Sequence, residues 1–289
     1  MTNVLNVLPP VYIHPILWFF ILVSLFTGTF MELTVIFFIV LVHELGHYSL
    51  AHYYKWRIRR INLWVFGGVM ETDEHATKPL KQELLITLAG PLQHVWIYGI
   101  LFICSEYSLL PASVITLGLQ FNSTILLFNL LPIWPLDGGK LMLLFFSCLF
   151  PYRKAHSLMI ICSILFSIVS IFLFLTYFPF TLSAILLIGF IIWENRLEWK
   201  QRYYTFIRFL LKRHVEKPDM KKVRPIVVNP DMSLMRIFSL FRRNSNHLIY
   251  VRKSNLDQPF LIKEHECLDI YFKWKHYKAT AGEITGIRE

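Results

Sequence analysis

The chain has 289 residues, 55% hydrophobic and only 17% charged, with a mean hydropathy of +0.49. Soluble domains carry about 25% charged residues, so the composition excludes a purely soluble globular protein, a disordered chain and a secreted disulfide scaffold, and predicts a membrane protein. The net charge of +10 is uneven: residues 1–193 hold 9 Lys+Arg and 8 Asp+Glu, whereas residues 194–289 hold 20 and 11, an apolar body with a basic, water-facing tail.

A membrane-spanning helix needs about 20 largely uncharged residues, and gaps between charges locate the candidates. Residues 1–31 carry no charge, and Val11 to Phe30 is the first span; a signal peptide is excluded by the lack of a basic n-region and of an Ala-x-Ala site. Leu33 to Tyr54, interrupted only by Glu44, is the second, and Leu84 to Ser105 the third. Pro111, Pro132 and Pro135 confine a fourth to Ser113 to Leu131. Leu141 to Phe150 is too short to cross and either re-enters the bilayer or lies against the bundle. Ala155 to Trp193, uncharged and divided by Pro179, holds a fifth and a shorter sixth. Lys and Arg are missing from the loops after spans one, three and five and present in all the others, so six spans with both termini in the cytosol put every basic loop on one side. No inverted repeat relates the two halves, which disfavours a transporter.

The second span contains His43-Glu44-Leu45-Gly46-His47. On a helix, positions i and i+4 share a face, so both imidazoles can hold one Zn²⁺ while Glu44 reaches a water as general base. A His-Glu-x-x-His set inside a bilayer is expensive and by default functional. Catalytic zinc takes three protein ligands and a water. The candidate third ligand is Asp137, after Pro132 and Pro135 end the fourth helix and where Gly138 and Gly139 let the backbone turn sharply; the competing role for Asp137 is a helix cap. Both motifs fall at the cytosolic ends of inward-running spans. The alternating run before Phe66-Gly67-Gly68 reads either as a loop that dips toward the metal and offers a strand edge to an unwound peptide or as an ordinary interfacial hairpin. His14, His52 and His75 have no partner spacing and read as interfacial or structural, and the four cysteines as unpaired thiols.

In the tail, residues 196–222 read as a charged, aromatic linker helix along the anionic membrane surface. Val223 to Val228 is a predicted strand, Ser233 caps a helix with Leu234, Ile237, Phe238 and Phe241 on one face, Leu248 to Val251 is a second strand and Cys267 to Phe272 a second helix. That is a small α/β unit of the βαβ type, and nothing in it looks like a nucleic-acid reader.

The two motifs together resemble the site-2 protease family of intramembrane zinc metalloproteases, with Phe66-Gly67-Gly68 and Ala89-Gly90-Pro91 matching two further signatures of that family. Leu130 to Lys140, Pro91-Leu92-Gln93-His94 and the single C-terminal module resemble, more narrowly, its sporulation branch in endospore-forming bacilli, which processes the pro-sigma-K transcription factor. The resemblance implies His43, His47 and Asp137 as zinc ligands, Glu44 as the base and Asn129 as a polar, substrate-binding group near the site. It also implies a membrane-associated pro-sigma substrate, inhibitory membrane proteins and residence in the mother-cell membrane around the forespore. Many family members have Asn where this chain has His94, whose part is open: orienting substrate, contacting a partner or packing. The tail, from its Pro225-Ile226-Val227-Val228 opening, resembles a cystathionine-beta-synthase (CBS) domain. Such domains bind adenosyl nucleotides such as ATP and work in pairs, so a single one implies a homo-oligomer; no clear ribose-binding Asp is present, and the basic charge is equally suited to acidic lipid or a substrate protein.

The expected architecture is thus an all-α polytopic membrane protein of about six transmembrane helices with a small cytosolic α/β CBS-like C-terminal domain: a protease domain over 1–195, a linker helix over 196–222 and the CBS-like domain over 223–289. A protease that trims other soluble or prenylated peptides with a downstream Glu as third ligand is disfavoured by the Pro-Leu-Asp-Gly-Gly run. A nucleotide-gated transporter or a regulator with a vestigial metal site is disfavoured by the intact His43, Glu44, His47 and Asp137.

Overall fold

The computed structural model describes residues 11–13, 15–64, 67–72, 74, 78–177, 182–216, 222–252 and 260–286. His14, Phe66, Asp73, His75 and Pro179 lie outside them. The chain divides into two compact units, Met1–Leu141 with Pro179–Gly189, and Met142–Phe178 with Phe190–Glu289.

The first unit opens on β1 (Val11–Ile13), followed by α1 (Pro15–Thr27) and α2 (Phe30–Tyr53). The expected first span is shorter than predicted. Pro15 starts the helix, and Gly28, at φ +76°, turns the chain in a conformation costly for any residue with a Cβ. β2 (Ile58–Trp64) and β3 (Gly67–Thr72) form a hairpin, and β1 pairs in parallel with β2, giving the order β1-β2-β3. α3 (Leu80–Glu106) and α4 (Ala112–Leu130) each start directly after a proline, Pro79 and Pro111. α4 stops where Leu131 turns extended (ψ 136°) ahead of Pro132, the backbone that a following proline imposes. Leu17, Val40, Ala51, Trp56, Ile61, Met70 and Ile86 form a shared core between α1, α2, the sheet and α3, which fixes the hairpin on α2.

α5 (Asp137–Leu149) begins in the first unit and continues into the second, which holds α6 (Tyr152–Tyr177) and most of α7 (Leu182–Glu216). α2, α3, α4 and the Tyr152–Leu173 part of α6 are long and apolar enough to cross a bilayer, four among the described residues. α1, with 13 residues, is a shorter apolar helix. α7 runs without a break from apolar residues into the charged stretch, so what the sequence divides into a span and a linker is one helix. Exposed Trp18, Phe26, Trp96, Phe102, Leu165 and Phe172 give the helices the apolar exterior a bilayer requires.

The tail is built from β4 (Val223–Val228), α8 (Leu234–Phe238), β5 (Asn246–Val251), β6 (Phe260–Lys263), α9 (Glu264–Phe272) and α10 (Ala281–Gly286). β4 and β5 pair in parallel across α8, as the sequence predicts; β6, antiparallel to β5, was not anticipated. Phe238, Phe241, Ile249, Val251, Ile262 and Cys267 make its core, and burial pushes the Cys267 thiol up to about 12, an inert side chain. α7 is keyed into this core through Arg213, which is buried, donates to the Arg242 carbonyl at 2.9 Å and to the Ser245 carbonyl, and pairs with Glu264.

Candidate metal centre

α2 carries His43 and His47 one turn apart, and Asp137 is the first residue of α5. Their ligand atoms converge: His43 Nε2 and His47 Nε2 are 3.1 Å apart, and Asp137 Oδ2 lies 3.1 and 3.0 Å from them. All three residues, and Glu44, are at most 4% exposed.

The hydrogen-bond network fixes what these atoms present. Asn122, on α4, donates through Nδ2 to the His94 carbonyl (3.1 Å), so its Oδ1, 2.7 Å from His94 Nδ1, accepts a proton held there. His94 Nε2 is therefore an acceptor, and it receives the proton of His43 Nδ1 at 3.1 Å. His47 Nδ1 donates to the Ile86 carbonyl at 2.7 Å. With both Nδ1 atoms protonated, both Nε2 atoms turn bare lone pairs toward a carboxylate oxygen. Lone pairs brought together in this way can be held by one cation between them. The edges of the triangle, 3.0–3.1 Å, are close to the ligand–ligand separation of about 3.3 Å that tetrahedral zinc sets. The donor set fits zinc. Asp137 accepts from Lys140 Nζ at 2.9 Å through its other oxygen, which leaves Oδ2 facing the imidazoles. Glu44 offers an oxygen within 4.8 Å of both imidazoles.

Glycines shape the pocket by permitting close approach. A Cβ on Gly90, in α3, would strike both imidazole rings, and one on Gly68, in β3, would strike the Glu44 side chain. The two glycines after Asp137 work the same way and not as the expected sharp turn: neither has a left-handed φ, and a Cβ on Gly138 or Gly139 would collide with the backbone of residues 130–134.

Of the substrate-binding candidates, Gly67 and Gly68 are in β3, the last strand of its sheet, with Gly68 against Glu44, while Phe66 lies outside the described residues. Asn129 is half-buried in the last turn of α4, and among the described residues no hydrogen bond joins it to the cluster. Asn122, two turns earlier, is a polar α4 residue that reaches the cluster, through His94 to His43. Sequence reasoning passed over Asn122 and Lys140; the signal for Asn122 was an amide in the middle of an apolar span.

Comparison with known proteins locates this site in a family. Residues 31–112 match the model of peptidase family M50. Stage IV sporulation protein FB of Bacillus subtilis is 37% identical over 285 residues, 98% of this chain and 99% of that protein. The chain belongs to peptidase family M50, the site-2 proteases. A zinc metalloprotease of Methanocaldococcus jannaschii is 30% identical over 203 residues, 69% of this chain and 57% of that one. The solved structure of the site-2 protease from Methanocaldococcus jannaschii superimposes with a TM-score of 0.53 at 26% identity, covering 65% of this chain and 89% of that one. This M50 member is a zinc metalloprotease, and its His-Glu-x-x-His pair lies inside the matched segment.

Proposed function

We propose that the chain is an intramembrane endopeptidase in which His43, His47 and Asp137 hold Zn²⁺ and Glu44 is the general base. The observation that carries this reading is the convergence of His43 Nε2, His47 Nε2 and Asp137 Oδ2 to within 3.1 Å of one another, with the Glu44 carboxylate at its side. Zinc bound there supplies a Lewis acid that polarises the scissile carbonyl and acidifies a water. Glu44 takes one proton from the attacking water as its oxygen bonds to the carbonyl carbon. It then delivers that proton to the departing amine as the C–N bond breaks, and the acid's remaining proton passes to the free amine, so the products are a carboxylate and an ammonium. Lys140 holds Asp137 in place, and His94 and Asn122 fix the ring of His43, the supporting role that outer hydrogen bonds play at metal sites. Gly68 brings the edge of β3 against Glu44, so that Phe66, Gly67 and Gly68 can receive an unwound substrate segment as an added strand.

The substrate we infer is the pro-sequence of a membrane-associated sporulation sigma factor, pro-sigma-K, cut near the cytosolic face in the mother-cell membrane that surrounds the forespore. Similarity over nearly the full length to a stage IV sporulation protein supports this. Six spans with both termini cytosolic, inhibitory membrane partners, and a CBS-like, self-associating tail open to ATP belong to the same reading. The experiment is co-expression with membrane-tethered candidate substrates, with wild type and Glu44→Gln side by side. Processing by the wild type and not by the variant supports the assignment; equal processing by both overturns it.

A further inference from the structure

Within the second unit, where the first turns of α6 lie against the middle of α7, a cavity of about 410 Å³ is lined by Arg153, His156, Trp199, Arg202, Tyr203 and Phe206, with Ser157 at its edge. We propose that it binds the phosphodiester headgroup of an anionic glycerophospholipid.

Arg153 and Arg202 are exposed, and among the described residues neither has a carboxylate partner. Each is instead laid on an aromatic ring, Arg202 3.9 Å above Trp199 and Arg153 5.6 Å from Phe206, an arrangement that steadies a guanidinium while leaving N–H groups free for a bidentate oxyanion. Among the described residues Glu198 makes its contact with buried His156, whose Nε2 is 2.8 Å from its oxygen, and forms no ion pair with either arginine. The placement of charge also calls for an anion. Arg153 and Lys154 occupy the start of α6, whose first turn has no acidic residue. A helix N-terminus is a poor place for cations, since the macrodipole already makes it positive, and a bound phosphate relieves both.

The lipid, as opposed to a soluble phosphate, is favoured by what flanks the cavity. Trp199 and Tyr203 are residues that settle at the membrane interface, and the candidate span Tyr152–Leu173 begins at the cavity and carries exposed Leu165, Phe166 and Phe172 further along, where acyl chains would run. The volume is in the range of small-ligand sites.

The test uses the full chain purified in a neutral detergent, with phosphatidylglycerol, phosphatidylcholine and glycerol 3-phosphate titrated separately. The thermal midpoint and the lipid retained in native mass spectrometry are read for wild type, Arg153→Gln/Arg202→Gln and the charge-matched Arg196→Gln/Arg208→Gln. Expected is a dose-dependent rise in midpoint and retained phosphatidylglycerol for the wild type and the Arg196/Arg208 variant, with apparent affinity at least tenfold weaker in the Arg153/Arg202 variant. Equal response of the two double variants overturns the site. Phosphatidylcholine as effective as phosphatidylglycerol overturns recognition of the anionic headgroup, and glycerol 3-phosphate as effective as the lipid shows a soluble-phosphate site instead. If the Arg153/Arg202 variant does not fold, Arg153→Lys/Arg202→Lys, which keeps the charge and loses the bidentate fork, is read by the same criteria.

Discussion

His94 Nε2 accepts the Nδ1 proton of His43 at 3.1 Å, joining a residue of α3 to a zinc-ligand candidate of α2 that is 51 positions away. Because Asn122 fixes the tautomer of His94, the chain Asn122–His94–His43 determines which nitrogen of His43 is free for metal. Losing an outer partner of this kind commonly costs 10- to 100-fold in metal affinity or activity. His94→Ala should fall in that range in a zinc-competition titration. His94→Gln, whose oxygen accepts from His43 and whose amide donates to Asn122, should recover most of it. If alanine binds zinc as tightly as the wild type, His94 only packs.

Glu44→Gln removes a proton carrier and leaves the three converging ligand atoms untouched. Cleavage should drop by about 10²- to 10⁴-fold while the purified variant keeps stoichiometric zinc. Metal loss in this variant would mean that Glu44 is a ligand.

Asp137→Ala should lose both zinc and activity, since two imidazoles make an incomplete site, and it leaves Lys140 without its 2.9 Å partner. Lys140→Met is predicted to be milder: the carboxylate stays but is no longer anchored, so zinc affinity weakens without being abolished. Metal analysis of the pair ranks them, and the reverse order would contradict the assignment of Oδ2 as ligand.

Gly90→Ala puts a methyl group into the space of the His43 and His47 rings. With backbone on one side and buried ligands on the other, the variant should lose zinc and about 1–3 kcal/mol of stability, the usual cost of overpacking. Gly99→Ala, on the same helix with open space around it, is the control.

The tail should weaken in acid. Burial lowers the pKa of His247, which donates from Nδ1 to Glu264 at 2.8 Å and accepts from the Arg242 amide at 3.1 Å, the bond of a neutral ring. Burial pushes the Glu264 carboxyl up, but the His247 hydrogen bond and the Arg213 guanidinium outweigh it and hold it below the usual range. Both folded values are lower than the unfolded ones, so the unfolded state binds more protons and stability is lost as pH falls. For His247 the loss begins as pH drops below about 6.5, the value of a free histidine; for Glu264 it begins near its own free value and continues below it. Hydrogen exchange of β5 and β6 at pH 7.5 and 5.5 should show faster opening in acid. His247→Phe, which keeps the ring stacked on Phe241, should flatten the change in the upper part of that window.

The sequence by itself determined the elements whose signal is local. Gaps between charges marked α2, α3, α4 and α6 because a bilayer tolerates few charges along about 20 residues, and His43, Glu44 and His47 were legible because one helical turn links them. Asp137 was legible because prolines and glycines surround it, although the part those glycines play, close packing and not a sharp turn, depends on the backbone of residues 130–134 folding back over them. Only the tertiary structure decided what lies between distant segments. The parallel pairing of β1 with β2 needs the crossover through α1 and α2, and the charged end of α7 is joined to the tail through Arg213. The orientation of His43, a candidate ligand, depends on His94 and Asn122, 28 residues apart on two helices. No periodicity encodes such contacts, since a hydrogen bond between helices depends on their rotation and spacing, and those are set by Gly46 and Gly90 letting α2 and α3 approach closely.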